Sequence, residues 1–366
     1  MYANVLSEME NIIKEKWTNG MAVAYGTTDK KNIAFCGVYD NHEQFQMDSN
    51  TFFDLASVTK IFTLVTILKL YEEGKINLLN CIGDYSELND FINIQHLRLI
   101  DLMNFSVDLV TSKRIDQCSC REIEDILHNI KIRNSEAVYS DMGAILLSFI
   151  VDHILGKNYF RQYSKDLWKR IGMTNTYWWD EIPPGKFVNV QSYDNEYRLD
   201  NSGELKKYSI KLGQVHDPKS RVLKAAGHAG IFSTVKDMSV FCEQLLQYKV
   251  LKKETIDNYL CSPRWDVYKK NGQHFGLLCY KRAKELKDSE IPNHASDDSI
   301  AMSGYTGTYI LLDFKKRKYV FIGSNRVHNR ITNSTVNCTD EHGKIIVGTR
   351  DYVYRKDKLR DICFGE

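Results

Sequence analysis

Phe53-Asp54-Leu55-Ala56-Ser57-Val58-Thr59-Lys60-Ile61-Phe62-Thr63-Leu64-Val65-Thr66-Ile67-Leu68-Lys69-Leu70-Tyr71-Glu72-Glu73-Gly74 is the stretch on which the reading of this chain turns. From 57 to 73 the pattern is helical. Ile61, Leu64, Val65, Leu68 and Tyr71 share one face, and Gly74 follows where a helix C-cap is expected. A Ser and a Lys three apart on a helix share a face, close enough to interact. A hydroxyl beside an amine suits nucleophilic chemistry. A serine at a helix N-terminus also offers its own N–H to a developing oxyanion. The plain structural reading of Ser57 is an N-cap, and the four-residue pattern alone does not choose. A second copy stands at Ser233 and Lys236.

Outward from that helix, two strand-like runs, 21–25 and 32–38, flank the turn-rich Gly26-Thr27-Thr28-Asp29, and an opening helix covers 4–17. The middle of the chain reads as mostly helical, with its strongest helix over 141–155 ended by Gly156, and another over 232–246. Strands return after about 270. Runs at 309–312 and 319–323 flank Lys315-Lys316-Arg317-Lys318, a solvated hairpin tip. The expected fold is α+β: a mixed, mainly antiparallel sheet flanked by helices. It is built from 1–75 and 235–366, with 76–234 inserted as a mostly helical lobe and a ligand site in the cleft between them.

The 366 residues carry 49 basic and 47 acidic side chains, a formal net charge of +2, with no dense basic block. Nucleic acid is therefore not an expected partner. The apolar run 144–151 falls far short of the ~20 residues a membrane span needs, so no membrane partner is expected either. The N-terminus lacks the basic start, apolar run and small-residue site of a signal peptide. With 9 cysteines, an odd number, the chain is expected in the cytoplasm with free thiols. Cys118-x-Cys120 with His128 fits no common zinc spacing, so neither a metal nor another cofactor is expected.

Tyr139-Ser140-Asp141 lies about 80 residues after Ser57, in a turn feeding the apolar helix that follows. As a three-residue pattern it is weak. Tyr39-Asp40-Asn41 and Tyr193-Asp194-Asn195 match the better-known Tyr-x-Asn form more closely, and a ring packed on the following helix is the structural alternative. Longer stretches decide the matter. FFDLASVTKIFTLVTILKLYEEGKINL, VYSDMGAILLSFIVDHILGKNYFRQY, WKRIGMTNTYW, GQVHDPKSRVLKAAGHAGIFSTVKDMSVF, GYTGTYILLDF and GSNRVHN follow in order. Together they resemble the family of class C β-lactamases, low-molecular-weight penicillin-binding proteins and related esterases, over about 50–360.

The resemblance implies a β-lactamase/transpeptidase-like fold with Ser57 as the acylated nucleophile and Lys60 as its hydrogen-bonded amine. Tyr139 would be the phenol that relays a proton to the leaving group, and Asp141 a contact of Lys60 and substrate. It puts the third family motif at Met302-Ser303-Gly304 and pairs the Tyr305 N–H with that of Ser57 as an oxyanion hole. Two places depart from the family. Met302 stands where related chains carry a cation or His, and Phe105-Ser106-Val107-Asp108-Leu109 replaces a His-Thr-Ser-Gly-Leu turn. Met302 offers a flexible apolar wall, which favours neutral acyl substrates over carboxylates, unless Met302 is core and another group such as His228 binds the carboxylate. His228, in Gly227-His228-Ala229-Gly230, is either a substrate contact at the site mouth or a hydrogen-bonded turn residue. His96, His153 and His274 are expected on surfaces or in satisfied sites.

A serine hydroxyl needs a base at pH 7, and free Lys and Tyr, with pKa near 10.4 and 10, are both protonated there. A carboxylate at 141 would keep Lys60 charged, which favours Tyr139 as base, yet would oppose the phenolate as well, so the base remains open between them. The activity implied is a serine hydrolase acting on an ester or amide of a small molecule. An acyltransferase, a β-lactamase or penicillin-binding role and a non-catalytic binding module are the alternatives.

Overall fold

The strand-period residues at both ends of the chain meet in one sheet. The computed structural model describes residues 1–39, 45–134, 137–189, 195–224, 226–283 and 289–365. In chain order these include α1 (Tyr2–Lys14), β1 (Gly20–Thr27), β2 (Lys31–Gly37), β3 (Phe52–Asp54), α2 (Thr59–Glu72), α3 (Ile123–His128), α4 (Met142–Leu155) and α5 (Tyr159–Arg170). They continue with β4 (Thr176–Trp178), α6 (Pro218–Leu223), β5 (Ile231–Thr234), α7 (Val235–Leu246), β6 (Ser299–Ser303), β7 (Tyr309–Asp313), β8 (Lys318–Ser324) and α8 (Tyr352–Phe364).

The main sheet runs β6-β7-β8-β1-β2 and is antiparallel throughout. Its register places Met21 opposite Ser324 and Tyr25 opposite Val320. Alternation sorts the side chains. Met21, Val23 and Tyr25 pack with Val5, Met9 and Ile12 of α1 and Leu359 of α8. Ala22 and Ala24 face the opposite core with Ile310, Leu312 and Phe321 and with residues of α2 and α7. A one-residue slip would turn each set to the wrong side. Each buried Val, Ile or Phe contributes about 1.5–3 kcal/mol to the correct register.

The sequence and the structure differ mostly at element ends. The opening helix stops at Lys14 because Lys16 takes a left-handed φ of 63° that no α-helix continues. The run 232–246 divides. Ile231–Thr234 is strand, pairing with β3 on one side and β4 on the other. Thr234 then caps α7, its hydroxyl accepting from Asp237 N–H. The segment 76–234 therefore carries strands beside its helices, and β5 joins it to β3 of the N-terminal segment. A further hairpin, Glu196–Leu199 with Leu205–Tyr208, pairs with Arg330–Ile331 near the C-terminus. Within the segment α4 is apolar on nearly all sides and buried from Gly143 to Ser148. Among the described residues no helix is long and apolar enough to cross a membrane.

Candidate active site

Ser57 sits in a single 3-10 turn, Ala56–Val58, between β3 and α2. The turn is strained: Ala56 has a φ of 46°, a left-handed conformation that costs a residue with a Cβ roughly 1–3 kcal/mol. Its surroundings hold it there. Asp54, buried at the end of β3, accepts from the Ala56 N–H at 2.9 Å and from the His216 N–H at 2.7 Å. Burial pushes the Asp54 carboxyl upward against those two donors. Ser57 is partly exposed, while Lys60, one turn on, is completely buried.

Lys60 Nζ donates to Ser57 Oγ at 3.1 Å, to Asp141 Oδ1 at 2.6 Å and to the His228 carbonyl at 3.4 Å, and lies 4.9 Å from the Tyr139 ring centre. Burial alone would lower the Lys60 pKa. The Asp141 carboxylate and the Tyr139 hydroxyl outweigh that and hold it above the ordinary lysine value. Burial likewise works to raise Asp141, but the charges of Lys60, His228 and Lys219 keep it far below the usual carboxylate range. Asp141 occupies the N-cap position of α4, yet its side chain is committed to the lysines. Ser140 does the capping, its hydroxyl accepting from the Met142 N–H at 3.1 Å.

Lys219 is the residue that sequence reading missed. Its ammonium donates to the other Asp141 oxygen at 2.5 Å and lies 3.9 Å from Asp217. The local signal was present: Asp217-Pro218 is an N-cap followed by a first-turn proline, and Asp217 accepts from the Ser220 N–H at 2.8 Å to start α6. That α6 would carry Lys219 to Asp141, 78 residues away in sequence, no local pattern states. Asp217 also holds His228 Nε2 at 2.8 Å. His228 is 1% exposed, so it is a buried partner of Asp217, with no surface for contact with substrate at the mouth. Asp141, Asp217 and His228 form a ligand-rich group, but two ammonium groups already sit on Asp141, so the group does not fit a metal ion.

Tyr139 is placed by aromatic stacking. Its ring lies 5.7 Å from that of Tyr280 at 7° and 5.2 Å from that of Phe105 at 28°. Phe105, which opens the segment that departs from the family turn, thus forms one wall for Tyr139. The Tyr139 hydroxyl donates to Met302 Sδ at 3.7 Å, and Met302 is 0% exposed. Met302 therefore belongs to the core and touches the phenol, instead of presenting an apolar wall to substrate. Ser303 is engaged too, its hydroxyl donating to Glu290 at 2.6 Å.

The loop after β6 is clipped to the chain before Ser57. Thr306 donates to the Asp54 carbonyl at 2.8 Å and Thr308 to the Leu55 carbonyl at 2.9 Å. A Cβ on Gly304 would stand 2.0 Å from Thr308 Oγ1 and 2.6 Å from the Leu55 carbonyl, so only glycine allows this approach. Arg326 donates to the Tyr305 carbonyl at 2.9 Å, and the Tyr305 hydroxyl bonds Glu196 at 2.8 Å, which orients that peptide. Among the described residues, neither the Ser57 nor the Tyr305 N–H takes part in the backbone hydrogen bonds of the loops around them.

The competing motifs come apart. Ser233 is buried in β5 against Thr176, while Lys236 is exposed. Asp40, Asn41, Tyr193 and Asp194 lie outside the described residues. His274 is satisfied between Asp266 and the Arg282 carbonyl.

A serine beside a buried lysine, a phenol and a paired carboxylate on an antiparallel sheet flanked by helices defines the class: serine hydrolases of the β-lactamase/transpeptidase fold. A family model described as Beta-lactamase matches residues 8–334, and the chain belongs to that family. It is 23% identical over 314 residues to a Bacillus subtilis protein named N-acetylmuramyl-L-alanine amidase, across 78% of this chain and 70% of that one. Among solved structures it resembles a class C β-lactamase from Rhodobacter sphaeroides, with a TM-score of 0.67 at 15% identity over 97% of this chain and 98% of the other. It also resembles a β-lactamase/D-alanine carboxypeptidase from Pseudomonas syringae, with a TM-score of 0.67 at 15% identity over 88% and 92%.

Proposed function

We propose that this chain cleaves an ester or amide of a small molecule through an acyl-enzyme on Ser57, with Tyr139 as the base. The observation that carries the reading is the Lys60 ammonium, 3.1 Å from Ser57 Oγ and 2.6 Å from Asp141. Held above its ordinary pKa, Lys60 is charged and has no lone pair with which to take the serine proton. It can stabilise a Tyr139 phenolate instead. Asp141 would oppose that phenolate, but Lys219 answers part of its charge, which tips the balance toward Tyr139. In this mechanism the Ser57 proton passes to the phenolate as Oγ bonds the acyl carbon. The oxyanion forms toward the N–H groups of Ser57 and Tyr305, and Tyr139 then gives the proton to the leaving group. The same phenolate takes a proton from water as its oxygen bonds the acyl carbon, and passes that proton to Ser57 Oγ as the acyl bond breaks, which restores both Ser57 and the phenolate.

Amide cleavage gains support from the name of the Bacillus subtilis relative. A cytoplasmic setting gains support from the nine cysteines, all of them unpaired. The partner in this reading is a small-molecule acyl substrate. The test is intact mass and peptide mapping after exposure to a fluorophosphonate, aryl esters and β-lactams. One adduct is expected, on the peptide containing Ser57. Labelling that persists in Ser57→Ala would overturn the assignment.

A further inference from the structure

Far along α4 from Asp141, a second cluster of donor atoms stands outside the chemistry above. We propose that Glu124, His128 and His153 form a site for a transition-metal ion such as Zn²⁺, clamping α3 to α4. One donor atom from each lies within 4.8 Å of the others. Glu124 and His128 are four apart on α3 and so share a face. His153 comes from the last turn of α4.

Two details prepare the imidazoles as ligands. His153 Nδ1 is 2.9 Å from the Phe149 carbonyl. A carbonyl can only accept, so Nδ1 donates to it and Nε2 is the nitrogen left to bind a metal, in the manner of outer-sphere partners that orient a metal-binding ring. That Nε2 lies 3.8 Å from the Glu124 carboxylate. His128 Nε2, in turn, is buried with no hydrogen-bond partner. An orphaned buried polar atom is costly, and a bound cation would satisfy it. The rings are held by neighbours: Phe91 sits edge-on to His128 with centroids 4.8 Å apart, and Phe149 lies 4.3 Å from His153. The aromatic side excludes water, while Glu124 is exposed and leaves a way in.

The donor set selects the ion. Two imidazoles and one carboxylate suit Zn²⁺, Co²⁺ or Ni²⁺, whereas Mg²⁺ and Ca²⁺ prefer oxygen. Bond lengths of about 2.0–2.2 Å require the donors to draw together, which rotation of exposed Glu124 permits, and a water completes the tetrahedron. Among the described residues no lysine ammonium is bonded to Glu124, in contrast to the Asp141 group. Cys118, which the sequence set beside His128, bonds the Arg114 carbonyl instead.

The test is titration of the chelator-treated full chain with Zn²⁺ by calorimetry and with Co²⁺ by visible absorption, with thermal melting alongside. One equivalent, tetrahedral Co²⁺ bands and a raised Tm are expected. His128→Gln and His153→Gln should each weaken binding by more than the roughly 10- to 100-fold typical of an outer-sphere change, and abolish the Tm gain. Cys120→Ser should leave binding unchanged. If either His variant folds poorly without metal, Glu124→Gln at its exposed position carries the test. Absence of stoichiometric binding, or binding unaltered in the His128, His153 and Glu124 variants, would overturn the proposal.

Discussion

Asp141 settles the protonation of Lys60, and the two titrate as a unit. Lys60 is held above its free value, so its contribution to stability is complete below about pH 10.4 and is lost as pH rises through the folded value. Asp141 is depressed, so its contribution is present above about pH 3.9 and is lost as pH falls through the folded value. The pair is therefore intact across the neutral range. Asp141→Asn removes the largest charge that opposes burial, and the nearby Lys219 then adds repulsion, so the Lys60 pKa falls. The basic limb of the kcat/KM profile should move to lower pH in this variant. A profile superimposable on the parent's between pH 6 and 10 would remove Asp141 from this role. Tyr139→Phe keeps the ring that stacks on Phe105 and Tyr280 and loses only the hydroxyl. The rate should fall about 10²–10⁴-fold with little change in Tm. An unchanged rate would return Tyr139 to a packing role.

At the level of elements, the oxyanion pair proposed for Ser57 and Tyr305 depends on how closely the loop after β6 lies on the turn at Ser57. Gly304→Ala puts a methyl group against the Thr308 hydroxyl, which would have to leave its bond to Leu55, and against the Leu55 carbonyl, which is backbone and cannot swing aside. The variant should lose about 1–3 kcal/mol of stability, read from denaturant unfolding. Because the Tyr305 N–H moves with the loop, kcat should fall more than KM changes. Full stability together with a parental kcat would show that the loop is not fitted to the turn. The start of α4 illustrates the same dependence. Ser140 caps the helix, which leaves the Asp141 carboxylate for Lys60 and Lys219.

Across the whole molecule, the sheet joins both ends of the chain. β1 is its fourth strand, flanked by β8 and β2, and α1 and α8 cover one face. The cysteines are spread through this structure without pairing, four of them buried. Denatured protein without reductant should titrate for all nine thiols. In the native state exposed Cys120 should react first, because burial raises Cys242, Cys261, Cys279 and Cys363 above the ordinary thiol range. Several protected pairs in the denatured sample would contradict this and place the chain in an oxidising compartment.

Much of this was legible in the residues themselves. The apolar face of α2, the alternation in β1 and the hairpin β7–β8 follow from periods of 3.6 and 2 that operate over a few residues. The Ser57–Lys60 pair follows from one helical turn. Other features could not be read this way. The strand at Ile231–Thr234 hides in a run that also fits a helix, and only its place between β3 and β4 decides it. The burial of Met302 and the engagement of Ser303 by Glu290 depend on which way β6 turns its faces. Lys219 reaching Asp141, and His153 reaching His128, join helices whose separation in the chain carries no information about contact. By itself the sequence determined most of the helices, the strands at both ends of the chain, the helix that follows Ser57 and the family. The tertiary structure alone decided which charges surround Lys60, because long-range contacts arise from the packing of whole faces, whereas sequence spacing constrains only neighbours within about one turn or one strand pair.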